Sequence, residues 1–173
     1  MSRLIIIEGP NCVGKTTLAN FMVNNSEIDM YCNVKCHKNW DSPQDGFVEH
    51  NIVSAMWKYP GLNLVMDRGF LSFVYYHDEY DSIGRFSDWI DELGNWESAK
   101  IICLMANKEL LKVNANNKRV EESLDEVEVI DEEEIEWYSK VYELIPEHLR
   151  IYREVVYYES DWKEEILKKV LSG

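Results

Sequence analysis

The sequence is poor in basic residues. Its 173 residues include 18 Lys and Arg against 32 Asp and Glu, which gives a formal net charge of −14. Broad affinity for nucleic acid depends on neutralising backbone phosphates with Lys and Arg. The charge balance therefore argues against nucleic acid as a partner. Ten of the acidic residues fall between positions 121 and 136, a run that predicts a solvated face.

Long hydrophobic runs are also missing. No apolar stretch approaches the roughly 20 residues that a membrane span needs, and the start lacks the charged and apolar regions of a signal peptide. We therefore expect a cytoplasmic protein with no membrane partner. The length suits one domain over residues 1–173, with a core of its own.

Cysteine is sparse, with four residues at positions 12, 32, 36 and 103. Cys32, Cys36 and the neighbouring His37 could begin a zinc site, but no second ligand pair follows at zinc-finger spacing. Alternate positions of buried strands often carry cysteine. The sequence therefore favours free thiols over a zinc site.

The most informative stretch that is present covers residues 3–19, RLIIIEGPNCVGKTTLA. An apolar, β-branched run at residues 4–7 predicts a buried strand, and the residues after it match G-x-x-x-x-G-K-[ST] before a plausible helix. Such a loop turns backbone N–H groups toward a phosphate, and the helix adds its positive end. We expect Lys15 to reach the β- and γ-phosphates of ATP and the Thr16 hydroxyl to take a place on Mg²⁺. The predicted donor-binding residues are Gly9, Asn11, Cys12, Val13, Gly14, Lys15, Thr16 and Thr17.

Strand and helix patterns alternate along the rest of the chain. This alternation predicts an α/β fold, a doubly wound five-stranded parallel sheet flanked by helices. The predicted strands are residues 4–7, 30–36, 62–67, 100–105 and 154–158, and the predicted helices include 47–57, 70–80, 83–93, 107–114, 131–144 and 162–171. Ligands of such folds bind at the carboxyl ends of the strands. Glu8 and Asp67 end the first and third strands, so we expect both at one crevice.

Asp67 and Arg68 form the second informative site. A carboxylate that ends a core strand beside a phosphate loop can hold a metal-bound water or accept a hydroxyl proton. The planar fork of the arginine suits a second, acceptor-side anion. We therefore expect Thr16 and Asp67 to position Mg²⁺ and Arg68 to hold the acceptor. The alternative is a helix-entry aspartate followed by a surface arginine.

These motifs carry a family resemblance. The loop EGPNCVGKTT resembles that of the thymidylate kinases and the wider nucleoside and nucleotide kinases. DRGFLSFVYYH is similar to the thymidylate kinase pattern D-R-x-x-x-S-x-x-x-Y, with Asp67, Arg68, Ser72 and Tyr76 in register. The resemblance implies a P-loop kinase fold with a short helical lid at about residues 107–130. It also implies that Arg68 binds the acceptor's phosphate, that the Tyr76 region lines the nucleoside pocket, and that the chain forms a homodimer.

The chain departs from the family pattern within the loop. Asn11 stands where thymidylate kinases usually carry aspartate, and Cys12 is neither the arginine nor the glycine of the two subclasses. The catalytic arginine would then come from the lid, where Arg119 is our candidate beside Lys112 and Lys118. A mobile cation there could meet the charge of the transferred phosphoryl group. The alternative is a solvent-exposed basic pair beside the acidic run.

The acceptor pocket is matched least clearly. Lys35 and His37 follow the second strand and Phe47 lies on the next helix, where an acceptor could bind, and Ser72 and Tyr76 complete the predicted substrate contacts. The E-x-P that deoxynucleoside kinases typically carry after this strand is absent. We therefore interpret the chain as a kinase that transfers the γ-phosphoryl of ATP to a deoxynucleoside monophosphate, a small-molecule acceptor.

Three alternatives remain open. A deoxynucleoside kinase would need Asp41 or Asp67 as its base. A kinase acting on a hydroxyl of DNA or of a modified nucleotide would bind through the basic residues at 35–38. A nucleotide-binding switch would hold its nucleotide without transfer to a small molecule, although the N/T-K-x-D motif of GTPases is missing.

Overall fold

The structure is a computed structural model that describes residues 3–33, 61–77, 91, 93, 98–122, 130–156 and 161–172. The strands in this part are β1 (Arg3–Glu8), β2 (Met30–Asn33), β3 (Asn63–Asp67), β4 (Ser98–Met105) and β5 (Arg150–Glu154). The helices are α1 (Lys15–Asn25), α2 (Phe70–His77), α3 (Lys108–Glu121), α4 (Glu132–Tyr142) and α5 (Trp162–Ser172). The predicted helices at 47–57 and, for the most part, 83–93 lie outside the described residues.

The five strands form one parallel sheet in the order β2-β3-β1-β4-β5. The central strand β1 pairs with β3 on one side and β4 on the other, so each connection crosses over the sheet. This arrangement confirms the predicted doubly wound fold.

Alternate residues of β1 pack on opposite faces of the sheet. Ile5 and Ile7 join one buried cluster with residues of α1, α3 and α5. Leu4 and Ile6 join a second cluster that includes residues of α2 and α4. Burial on both faces explains why the strand is an unbroken apolar run. The same alternation places Glu8 on the face of α2 and α4, at the carboxyl end of the strand.

Two elements have an end that lies four or more residues from its predicted position. β5 begins at Arg150, whereas the sequence pattern placed it at 154–158, and the two ranges share only Glu154. An edge strand mixes exposed and buried positions, so its apolar content is low, and the apolar residues just after it misled the prediction. The helix predicted at 107–114 continues to Glu121 through polar residues. None of the described helices is long and apolar enough to cross a membrane.

Candidate active site

The loop between β1 and α1 has the shape that the motif predicts. Gly9 has φ +150°, and a Cβ atom there would lie 2.5 Å from the backbone oxygen of Leu104, so glycine alone fits beside β4. Gly14, with φ +99°, turns the chain into α1, which begins at Lys15. The loop therefore lies at the positive end of α1, at the carboxyl edge of the sheet.

Lys15 is buried within its own loop. Its Nζ donates to the backbone oxygens of Gly9 at 2.7 Å and Pro10 at 2.6 Å. Burial, followed by the positive charge of Arg68, lowers the pKa of Lys15 to about 7, although nearby carboxylates oppose the shift. The ammonium group thus lies beside the predicted phosphate position with a weakly held proton.

The structure brings Thr16 and Asp67, the two predicted metal-binding residues, into contact. The Thr16 hydroxyl donates a hydrogen bond to Asp67 Oδ2, and the Tyr31 hydroxyl donates to the same oxygen at 3.3 Å. A hydroxyl and a carboxylate are hard oxygen ligands of the kind that Mg²⁺ takes, and Mg²⁺ usually draws its other ligands from water and substrate phosphates. This pair therefore fits Mg²⁺. Over the described ranges, no group of three or more His, Cys, Asp and Glu side chains forms a metal cluster of another kind.

Arg68 lies against the donor loop. Its backbone has φ 75°, and its N–H donates to the backbone oxygen of Ile7 at 2.9 Å, so the turn after β3 is tied to β1. The guanidinium donates to Asn11 Oδ1 of the loop and to Ser72 Oγ at 3.4 Å. A left-handed backbone is costly for a residue other than glycine, and such strain concentrates at functional sites. The positive charge of Arg68 also lowers the pKa of Lys15, so the two cations lie close together at the loop.

A buried polar cluster beneath Arg68 escaped the sequence analysis. Glu8 is fully buried, and its carboxylate accepts the Ser72 hydroxyl at 2.5 Å and the backbone N–H of Leu71 at 3.0 Å. The Tyr138 hydroxyl lies 2.7 Å from Ser72 Oγ. Burial raises the pKa of Glu8, while hydrogen bonds from Ser72 and the charge of Arg68 oppose the shift. Ser72, predicted to contact substrate, is itself fully buried.

Two more residues that the sequence analysis did not single out touch the loop. The backbone N–H of Asn11 donates to Glu134 Oε2 at 3.2 Å, and Asn114 Nδ2 donates to the backbone oxygen of Cys12 at 2.8 Å. Glu134 is 2 % exposed, although the acidic run that contains it predicted a solvated face. Helical periodicity explains the difference, because Glu132, Glu133 and Glu136 of the same helix are exposed.

The remaining predicted site residues differ in burial, and some lie outside the described part of the chain. Val13 is buried in the core and Thr17 is exposed at the start of α1. Arg119 is exposed in the last turn of α3. Lys35, His37 and Phe47 lie outside the described residues, as does the side chain of Tyr76. Their predicted contacts with an acceptor stay predictions.

Comparison with known proteins finds the same fold. No protein-family model matches the chain, and no curated protein matches it. A structure of deoxyadenosine kinase from M. mycoides with dCMP and dCDP bound aligns with a TM-score of 0.54 and 15 % identity over 98 % of both chains. A structure of the same enzyme with dCTP bound gives the same score and identity over 98 % of this chain and 100 % of that one. The chain therefore has a P-loop kinase fold, shared with nucleoside kinases.

Proposed function

We propose that the chain is a kinase that transfers the γ-phosphoryl group of ATP to a hydroxyl of a deoxynucleoside. One observation carries this proposal. Lys15, the Thr16–Asp67 pair and Arg68 converge on one loop at the carboxyl edge of the sheet. Similarity to deoxyadenosine kinase in fold supports a deoxynucleoside acceptor over the monophosphate that the sequence favours.

The loop would bind the donor phosphates through its backbone N–H groups and the positive end of α1. Lys15 would leave the backbone oxygens of Gly9 and Pro10 and bind the phosphates. Their negative charge would pair with the buried ammonium group, which the neutral backbone oxygens do not do. Thr16 and Asp67 would hold Mg²⁺, which neutralises phosphate charge when bound. Arg68, close to Asn11, would face charge that develops on the transferred group.

A neutral hydroxyl acceptor also needs a carboxylate as base. Glu8 is closed inside the Ser72–Tyr138 cluster, so it has no route to an acceptor. Of the carboxylates described at the loop, Asp67 and Glu134 remain, and Asp41 lies outside the described residues. We propose Asp67 as the base if Mg²⁺ engages it through a water molecule.

A deoxynucleoside monophosphate is the second candidate acceptor, and the position of Arg68 favours it. The guanidinium fork lies beside the loop, where a second phosphate could bind in bidentate fashion. The kinetics of Arg68→Ala distinguish the two acceptors. Loss of kcat at an unchanged acceptor KM indicates contact with the transferred group, whereas a raised acceptor KM indicates an acceptor phosphate.

The direct test is release of ADP from ATP and Mg²⁺ over a panel of deoxynucleosides, deoxynucleoside monophosphates and a short single-stranded DNA. Lys15→Ala should abolish turnover, while Lys168→Ala, which removes an exposed lysine of α5, should not. Turnover with deoxynucleosides supports the proposal, and turnover with monophosphates alone supports the second candidate. Tight ATP binding without turnover on any acceptor would contradict both and favour a nucleotide-binding switch.

The lid at about 107–130, the homodimer and the cytoplasmic location stay predictions. Two contacts support the lid as a proposal, because Asn114 within it and Glu134 just after it both reach the loop. A lid that closes over the nucleotide would exclude water from the transfer step.

A further inference from the structure

Arg68 is held by two chains of hydrogen bonds that lead to the same helix. In the first, the guanidinium donates to Ser72 Oγ at 3.4 Å, and Ser72 Oγ lies 2.7 Å from the Tyr138 hydroxyl. In the second, the guanidinium donates to Asn11 Oδ1, and the Asn11 backbone N–H donates to Glu134 Oε2 at 3.2 Å. Both chains therefore end on α4.

The two end points occupy one face of α4. Glu134 and Tyr138 are four residues apart, which places them one above the other on a helix. Both side chains are buried, at 2 % and 0 % exposure. Because buried polar groups are costly unless they are bonded, the contacts fix how this face of α4 sits against the loop and α2.

The proton count at Ser72 makes the first chain directional. A serine hydroxyl has one proton and two acceptor positions. Its proton goes to Glu8 Oε2 at 2.5 Å, while the other Glu8 oxygen accepts the backbone N–H of Leu71. Arg68 donates to one acceptor position, and the Tyr138 hydroxyl, which also lies 3.5 Å from Glu8 Oε2, faces the other. Glu8 thus orients Ser72, whose acceptor positions face Arg68 and Tyr138.

We propose that α4 positions Arg68 over the phosphate loop, with Tyr138 and Glu134 as positioning residues. Glu8 completes the arrangement because it fixes the direction of the Ser72 hydroxyl. The effect on turnover rests on the proposed function, whereas the placement of Arg68 does not.

Tyr138→Phe is the central variant, because it removes one hydroxyl and keeps the buried ring. Tyr142→Phe is its matched control. Tyr142 lies one turn further along α4 and is equally buried, but its hydroxyl donates to the backbone oxygen of Leu104 at 3.2 Å. Each variant loses the shortest hydrogen bond of a buried hydroxyl, and Tyr138→Phe also loses a 3.5 Å contact with Glu8 Oε2, so a general loss of stability should be of similar size in the two.

The first measurement requires no catalysis. The Nε–Hε resonance of Arg68 is followed by NMR in protein with isotope-labelled arginine and identified by its loss in Arg68→Lys. We expect the resonance to shift or broaden in Tyr138→Phe and to stay in place in Tyr142→Phe. An unchanged resonance in Tyr138→Phe, or equal changes in both variants, would refute the positioning role.

The second measurement is kcat/KM for the acceptor that the panel identifies. We expect a loss of about fivefold in Tyr138→Phe, the size of a hydrogen bond between neutral groups, and less than about twofold in Tyr142→Phe. In an Arg68→Lys background, Tyr138→Phe should cost little more, because its effect passes through Arg68. Additive losses would contradict the proposal. If no acceptor is turned over, the proposed function fails, and the NMR result alone decides the placement of Arg68.

Glu134 is tested by a conservative pair. Glu134→Gln keeps an oxygen that can accept the Asn11 N–H, whereas Glu134→Ala removes it. A positioning role predicts that glutamine retains most of the activity and the native Arg68 resonance, and that alanine loses both. Equal loss of activity in the two variants, with the resonance unchanged, would show that Glu134 acts through its charge and would overturn its part in the proposal.

Discussion

The buried ammonium of Lys15 should make the stability of the protein depend on pH in a specific way. Burial and the charge of Arg68 lower its pKa from 10.5 to about 7 in the folded protein. In the unfolded chain the ordinary value of about 10.4 applies. Below about pH 7 the lysine is charged in both states, and the folded state carries the full cost of a buried charge. That cost declines as the pH rises through 7 and is gone above the unfolded pKa.

The pKa change sets the size of the effect. At about 1.4 kcal/mol per pKa unit, a shift from 10.5 to about 7 corresponds to an upper value of about 5 kcal/mol. Lys15→Met removes this cost, but it also leaves the backbone oxygens of Gly9 and Pro10 without their donor, at about 1 kcal/mol each. The second loss is independent of pH. Lys15→Met should therefore be more stable than wild type near pH 7. Its advantage in the free energy of unfolding should fall by about 2 kcal/mol between about pH 7 and pH 9, because the wild type gains stability over this interval.

The assay is urea unfolding of the nucleotide-free protein in a chelating buffer, at several values across this pH interval. Lys168→Met provides the control, because it removes an exposed lysine from α5. Its gap to wild type should stay constant, while that of Lys15→Met narrows as the pH rises. A Lys15→Met gap that is also constant, or that widens, would refute the lowered pKa and the burial on which it depends.

Three further predictions concern the loop, the metal pair and the lid. Gly9→Ala should destabilise the fold by about 2 to 4 kcal/mol, measured by urea unfolding, because its Cβ would lie 2.5 Å from the Leu104 oxygen; full stability would contradict the close approach. Asp67→Asn should lower kcat by about 100-fold and raise the Mg²⁺ concentration required, whereas Thr16→Val should mainly raise that requirement. An unchanged Mg²⁺ dependence in both would argue against this pair as the metal site. Arg119→Ala should lower kcat about tenfold or more without weakening ATP binding in equilibrium titrations, and unaltered kcat would remove it from the mechanism.

The phosphate loop was predictable because its geometry is local. Glycines at two positions, a lysine and a threonine in a contiguous segment determine where the backbone turns and where α1 begins. The position of Asp67 beside the loop was also predictable, because parallel strands of one sheet bring their carboxyl ends together. In the structure Asp67 pairs with Ile7 of β1. The parallel sheet followed from the alternation of apolar strands and helices. β5 was misplaced because an edge strand carries little of that apolar signal.

The cluster beneath Arg68 was not predictable, because its members are far apart in the chain. Glu8, Ser72 and Tyr138 come from a strand and two helices, and no local spacing links them. Part of the signal was nevertheless present. Glu8 continues the alternation of Leu4 and Ile6, and Tyr138 follows the helical spacing of the other buried residues of α4. The sequence does not determine the lateral placement of α2 and α4 on the sheet. That placement decides whether Ser72 and Tyr138 meet Glu8.

Helical periodicity places the carboxylates of one acidic run in two environments: most of those that the structure describes are exposed to solvent, whereas Glu134 is buried at the loop. Exposed carboxylates on α4 interact with water, and their negative charges add to a net charge of −14 that would repel an anionic substrate. Glu134 differs because it is buried and accepts a hydrogen bond from the loop. Its charge lies near Lys15 and raises the pKa of that lysine, against the larger effect of burial. When phosphates bind, they bring a stronger negative charge to the same place, so Glu134 and the donor compete for the loop. Glu134→Gln keeps an acceptor for the Asn11 N–H but removes the charge, so we expect ATP to bind more tightly to this variant than to wild type in equilibrium titrations; equal or weaker binding would contradict the competition.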